Sequence, residues 1–215
     1  MKSQEVKNID LWEKLLNELP KSYKSWFIDE KKFLHKNITK NSKVLEVGCG
    51  DGRSIKDILD LTQNIVAVDN DQKAVDDAKA NFKQYSKIKI LLAEAIKLPF
   101  ENNSFDFVLC LTTFANFGDD KYGALEEMKR VLKKKGNIII SVFSEDALEE
   151  RMKIYKHLKV PIKEVTKSGK VAFEGGITSE QFSEKELNQI FSSVGLNIEE
   201  IVKSGIGYLY KLSKK

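Results

Sequence analysis

The chain has 215 residues, 41% of them hydrophobic, which suits one domain with a full core and leaves too little for two large ones. Its 36 Lys and Arg against 32 Asp and Glu give a net charge of +4 spread over a mixed-sign surface, too weak a bias to argue for a nucleic-acid partner. Only Arg53, Arg130 and Arg151 are arginines, which weighs further against bidentate reading of phosphate or guanine.

Residues 8 to 36 have helical spacing of large apolar side chains (Leu11, Trp12, Leu15, Leu16 and Leu19, then Trp26, Phe27, Phe33 and Leu34), broken near Pro20. Both tryptophans are expected to pack into the core, with a fold over a ligand as the alternative. From Lys43 the pattern becomes short apolar strands alternating with amphipathic helices. A strand over 43–47 precedes a glycine cluster and a helix from Arg53. A strand over 64–69 precedes a helix over 71–84, with Asn70 or Asp71 as its cap. Strands over 88–92 and 105–111 follow, the second apolar enough to be buried on both faces. A helix over 121–134 is expected to end at Gly136, before a buried strand over 137–143. The rhythm then changes. Residues 145–159 form a charged helix, and 167–176 a hairpin or irregular loop. A helix from Ser183 to Val194 leads into two strands separated only by Ser204 and Gly205, an antiparallel hairpin.

Strands alternating with helices imply a parallel α/β sheet with right-handed crossovers. Cys49 and Cys110 lie far apart and out of metal-ligand spacing with His35 and His157, so neither a zinc site nor a disulfide framework is expected, and no metal. The N-terminal residues lack the apolar core of a signal peptide, and no apolar run approaches the roughly 18 residues of a spanning helix. A cytoplasmic protein without membrane insertion is expected.

The glycine cluster, VGCGDG from Val47 to Gly52, carries the chemistry. No Lys-Ser or Lys-Thr follows at the offset of a triphosphate loop. The dinucleotide fingerprint fits Gly48 and Gly50, but its third position falls on Arg53, too bulky for close helix packing. Asp69 ends the second strand, 19 residues beyond Gly50, where it can accept hydrogen bonds from ribose hydroxyls. A ribose-binding acid beside a loop unsuited to pyrophosphate points to an adenosyl ligand without phosphates.

With VLEVGCGDGRS from Val44, IVAVDND from Ile65, AEAIKLPFENNSFDFVLC from Ala93 and LEEMKRVLKKKGNIII from Leu125 in this order, the chain resembles the class I S-adenosylmethionine-dependent methyltransferases. Within them it is similar to the small-molecule, ubiquinone/menaquinone-biosynthesis-like (type 11) group. The resemblance runs from about Lys43 to Phe143. It implies a Rossmann-like sheet of seven strands, mostly parallel, with helices on both faces and an antiparallel hairpin at the end. It also implies a helical cover over residues 1–42, a methyltransferase domain over 43–215, and a substrate-lid insertion at 144–182. S-adenosylmethionine would be the cofactor and S-adenosylhomocysteine the product. Gly48, Cys49 and Gly50 would line its methionyl and ribose part, with Glu46 steering the loop or the amino group. Asp69 would bind the ribose and Asn70 lie beside the adenine. Glu94 would reach the adenine amino group, where the family more commonly has aspartate, with the Ala95 N–H facing the ring. Leu111 and Thr112 would meet the methionyl end.

Methyl transfer is an in-line displacement that positioning and desolvation can drive, with a base needed only where the nucleophile carries a proton. The exit of the fourth strand, LTTFANF from Leu111, lacks the Asn/Asp-Pro-Pro-Tyr that holds a planar amide, and there is no Pro-Cys pair for attack on cytosine. His157 and Tyr155 in the insertion, and His35 and Tyr23 in the cover, are the weak candidates for a base. The leading reading is transfer to a small-molecule acceptor by a monomer or homodimer. An RNA or protein methyltransferase, an NAD-dependent oxidoreductase and a non-catalytic cofactor-binding scaffold stand as alternatives.

Overall fold

A computed structural model describes residues 19–174 and 176–215. The first helix expected before Pro20, with Leu11, Trp12, Leu15 and Leu16, lies outside the described residues. Pro20 starts helix α1 (Lys21–Asn37), supplying a fixed φ of −53° ahead of the first turn. Tyr23, Trp26, Phe33 and Leu34 are buried on one stripe of α1, which packs against the next helix and the C-terminal hairpin.

The central sheet has strands β1 (Val44–Val47), β2 (Ile65–Asp69), β3 (Lys89–Leu92), β4 (Phe105–Leu111), β5 (Leu132–Phe143), β9 (Leu196–Ser204) and β10 (Gly207–Lys214). Their spatial order is β3-β2-β1-β4-β5-β10-β9. The first five are parallel, and β10 pairs antiparallel with both β5 and β9. This is the seven-stranded, hairpin-ended sheet expected from the sequence. Successive strands step outward from β1 to β3, then the chain returns to place β4 on the other side of β1, so the switch point lies between β1 and β4. All four residues of β1 and six of the seven in β4 are buried, as central parallel strands covered on both faces require.

Helices α2 (Arg53–Ile58), α3 (Gln72–Asn81), α4 (Lys121–Val131) and α6 (Glu184–Ser193) supply the cover. Asp71 caps α3, its side chain accepting from the Lys73 N–H at 2.9 Å. Ser183 and Glu186 form a reciprocal capping box on α6. One boundary departs from the sequence reading. Helix α4 stops at Val131, and residues 132–135 already belong to β5. Gly136 is therefore not a helix terminator. It sits in β5 beside the register shift between Phe105 and Phe107, where a Cβ would come within 2.6 Å of the Asp106 carbonyl.

Residues 144–182 contain helix α5 (Leu148–His157) and a separate antiparallel sheet, β6 (Ile162–Val165), β7 (Val171–Phe173) and β8 (Thr178–Ser179). The hairpin alternative of the sequence reading thus holds as part of a three-stranded unit. No helix among the described residues is long and apolar enough to cross a membrane.

Candidate active site

A cleft of about 740 Å³ opens at the carboxyl ends of β1, β2 and β4, over the switch point. Its floor is the loop after β1. Gly48 holds φ +75°, and a Cβ there would lie 2.1 Å from the Thr113 side chain, so glycine is required by both conformation and space. The Thr113 hydroxyl uses that closeness to donate to the Gly48 carbonyl at 2.9 Å, tying the loop to the exit of β4. A Cβ on Gly50, by contrast, would meet no atom within 4 Å, so the loop presents bare backbone to the cleft at that point.

Asp69 organises the loop from β2. Its Oδ2 accepts from the Gly50 N–H at 2.8 Å and its Oδ1 from the Asp71 N–H at 3.0 Å. Each oxygen keeps a further lone-pair direction for a ligand hydroxyl. Beside it the Asn70 amide donates to Glu94 Oε2 at 3.3 Å, and Ala93, Ala95 and Ile96 extend this wall with apolar surface. At the β4 exit Thr112 holds φ +61°, an unusual conformation for a β-branched residue. Its N–H is fixed by Ser141, through the carbonyl at 3.0 Å and the hydroxyl at 2.9 Å.

Nine of the ten residues expected at the cofactor therefore line one cleft: Gly48, Cys49, Gly50, Asp69, Asn70, Glu94, Ala95, Leu111 and Thr112. Glu46 does not. It is buried beneath the loop, where one carboxylate oxygen accepts from the Ser54 hydroxyl and the other has no hydrogen-bond partner. Burial pushes its pKa up to about 8, only partly offset by Ser54 and Arg53. Burial also raises the Cys49 thiol well above its ordinary range, with Glu46 and Asp69 adding to the effect, so it is a small apolar filler and not a nucleophile.

Among the weak base candidates, Tyr23 and Tyr155 line the cleft. Burial, the largest cause, keeps the Tyr23 phenol protonated well above the ordinary range, with Tyr155 adding to the rise. His35 lies away from the lining, its Nε2 2.8 Å from the Asp57 carbonyl oxygen, and His157 at the end of α5 does not line it either.

The structure adds residues that spacing did not reveal. Trp26 and Phe27 of α1, Phe117 after β4, and Phe143, Ile154 and Phe173 line the same cleft. Trp26 is fully buried, packed on Phe143 at 5.2 Å, so it is both core and lining. Arg53, read in the sequence only as an obstacle to a dinucleotide, also lines the cleft. Its guanidinium pairs with buried Glu30 at 2.7 Å and lies 4.4 Å over the Phe27 ring. Those partners are more than 20 residues away, and no local pattern announces them.

The donor set suits an adenosyl sulfonium: bare backbone at Gly50, an acid with spare lone pairs at Asp69, a polar Asn70–Glu94 edge beside apolar Ala95 and Ile96, and no basic cradle for phosphates in the loop. Residues 45–140 match the methyltransferase domain family of type 11. That match covers under half of the chain, and over it the chain is similar to the class I S-adenosylmethionine-dependent methyltransferases. Domains of this kind take S-adenosylmethionine as cofactor, which the donor set of the cleft fits.

Among curated proteins, it is 30% identical over 147 residues to an uncharacterised protein of Methanocaldococcus jannaschii, covering 64% of this chain and 65% of that one. It is 29% identical over 121 residues to the demethylmenaquinone methyltransferase of Staphylococcus aureus, covering 55% of this chain and 50% of that one. The match thus spans between half and two thirds of the length of these relatives. Among solved structures, a Pyrococcus horikoshii protein superposes with a TM-score of 0.74 at 22% identity, over 91% of this chain and 92% of its own. That likeness establishes the fold.

Proposed function

We propose that this methyltransferase acts on a small-molecule acceptor that enters between α1 and the 144–182 segment. When bound, S-adenosylmethionine supplies a methyl group on positively charged sulfur, open to in-line attack. Asp69 holds the ribose hydroxyls, Asn70 and Glu94 with the Ala95 backbone recognise the adenine edge, and Gly48 to Gly50 with Leu111 and Thr112 receive the methionyl end. Glu46 acts from below, through Ser54, by setting the shape of the loop.

The observation that carries the reading is the far wall of the cleft. Tyr23, Phe117, Phe143, Ile154, Tyr155 and Phe173 come from α1, the β4 exit, β5, α5 and β7 and meet over one cavity. A space of about 740 Å³ that also has to hold the cofactor leaves room for a compact, largely apolar molecule and not for a duplex or a folded protein surface. A curated relative named for demethylmenaquinone points the same way. In this reading α1 is the cover and residues 144–182 the lid, which together exclude water. The cytoplasmic setting and the monomeric or homodimeric state belong to the same proposal.

Proton chemistry on this wall is limited. Tyr23 keeps its proton and can donate a hydrogen bond but not act as a base. Neither histidine reaches the lining, and Asp120, at the start of α4, is the one lining carboxylate outside the group around the cofactor loop, Asp51, Asp69, Asp71 and Glu94. The aromatic wall serves to bind and orient.

The test is partition of label. Protein incubated with methyl-labelled S-adenosylmethionine and a cell extract is expected to place label in the low-molecular-weight organic fraction. Label confined to RNA or to protein contradicts a small-molecule acceptor.

A further inference from the structure

Arg151 is fully buried, yet its hydrogen bonds are to no carboxylate. Its guanidinium donates to the Gly169 carbonyl at 2.9 Å, the Ser179 carbonyl at 2.9 Å and Gln181 Oε1 at 3.1 Å. It also donates through Nε to the Tyr155 hydroxyl oxygen at 3.4 Å, and lies 4.6 Å over the ring of Phe143. Tyr155, Phe143 and Ser179 all line the cleft, so a permanent positive charge stands one layer behind its far wall. A buried charge of this kind is costly unless something of opposite sign approaches it.

The nearest acid on α5 does not play that part. Glu150 is engaged by the Ser22 hydroxyl at 2.7 Å and by Lys153 at 2.6 Å, toward the surface. Asp120, at the start of α4 with its N–H bonded to the Phe117 carbonyl, lines the cleft but is not among the hydrogen-bond partners of Arg151. Two phenols, Tyr155 and Tyr23, are among the residues that line the cleft. Tyr155, because its oxygen accepts from Arg151, has its own proton left to donate elsewhere. Tyr23 makes no hydrogen bond to any described residue, and its phenol stays protonated. Two O–H donors backed by a guanidinium, set in an otherwise aromatic wall, match one ligand chemistry.

We infer that the methyl acceptor binds as a planar apolar anion, its charged oxygen held by the Tyr155 and Tyr23 hydroxyls with Arg151 behind them as the positioning residue. This rests on the reading of the far wall as the acceptor site. It also accounts for the lack of a histidine there, since an acceptor that arrives deprotonated needs no base.

Naphthoate and its neutral isostere naphthamide are the probes, titrated into protein saturated with S-adenosylhomocysteine. We expect naphthoate to bind about tenfold more tightly than naphthamide. Tyr155→Phe, which removes only the hydroxyl, is expected to weaken naphthoate by about tenfold and leave naphthamide and S-adenosylhomocysteine unchanged. Tyr23→Phe should act in the same direction, which keeps the test independent of Arg151→Met, a change that threatens the fold of 144–182. Equal binding of the two probes, no binding of naphthoate, or an unchanged naphthoate affinity in both tyrosine variants overturns the inference while the cofactor reading stands. Absence of S-adenosylhomocysteine binding in the parent protein overturns both.

Discussion

Two carboxylates near the loop have opposite assignments. Asp69 lines the cleft and holds two backbone N–H groups, so Asp69→Ala removes both the proposed ribose acceptor and the brace on Gly50. We expect cofactor affinity to fall by roughly 1–3 kcal/mol, measured by calorimetry, in a protein that remains folded. Glu46 is buried and raised to about 8 from an ordinary value of 4.5, so the folded state holds its proton where the unfolded state has lost it. The stability it contributes is fully present below about pH 4.5 and is lost as pH rises through about 8. Glu46→Gln keeps an acceptor for Ser54 and removes the titration. Thermal unfolding across that range should show the variant gaining on the parent as pH rises; parallel curves would contradict it. Asp69 was legible because its place follows from strand length and the position of the glycines. The buried state of Glu46 was not, because a strand-end acid reads the same whether it points into the cleft or beneath the loop.

At the scale of elements, α1 and α2 are joined through one buried ion pair. Arg53 at the start of α2 meets Glu30 of α1 at 2.7 Å and Phe27 at 4.4 Å, which fixes the helical cover against the cofactor loop. Arg53→Met leaves Glu30 buried and unpaired and is expected to cost about 3–5 kcal/mol in denaturant unfolding. Glu30→Gln combined with Arg53→Met should recover much of that loss, and a strictly additive double variant would contradict the pairing. The strands of the main sheet were legible from their apolar runs, and the cap at Asp71 from its residue type. Gly136 misled because a glycine past a helical pattern is usually a terminator, whereas here it accommodates the Asp106 carbonyl at a bulge. Helix α5 was legible as a charged helix, but the burial of Arg151 was not, because carbonyls from Gly169 and Ser179, up to 28 residues on, draw it inside.

Across the whole molecule, the order β3-β2-β1-β4-β5-β10-β9 brings residues from four separate segments to one crevice. Parallel strands put all their carboxyl ends on one side, so Gly48, Asp69, Glu94 and Thr112 converge although 64 residues separate the first from the last. That convergence is why residues picked out by spacing line one cleft, the proposed cofactor wall. The acceptor wall was not readable, since it is assembled from α1, β5, α5 and the small β6–β8 sheet, which share no periodicity and meet only in three dimensions. The cofactor wall is accordingly the central claim, and calorimetric titration of the purified protein with S-adenosylhomocysteine tests it most directly. We expect micromolar binding in the parent and a weaker, measurable affinity in Asp69→Ala. An absence of binding in the parent, or an affinity untouched by Asp69→Ala, would contradict the site.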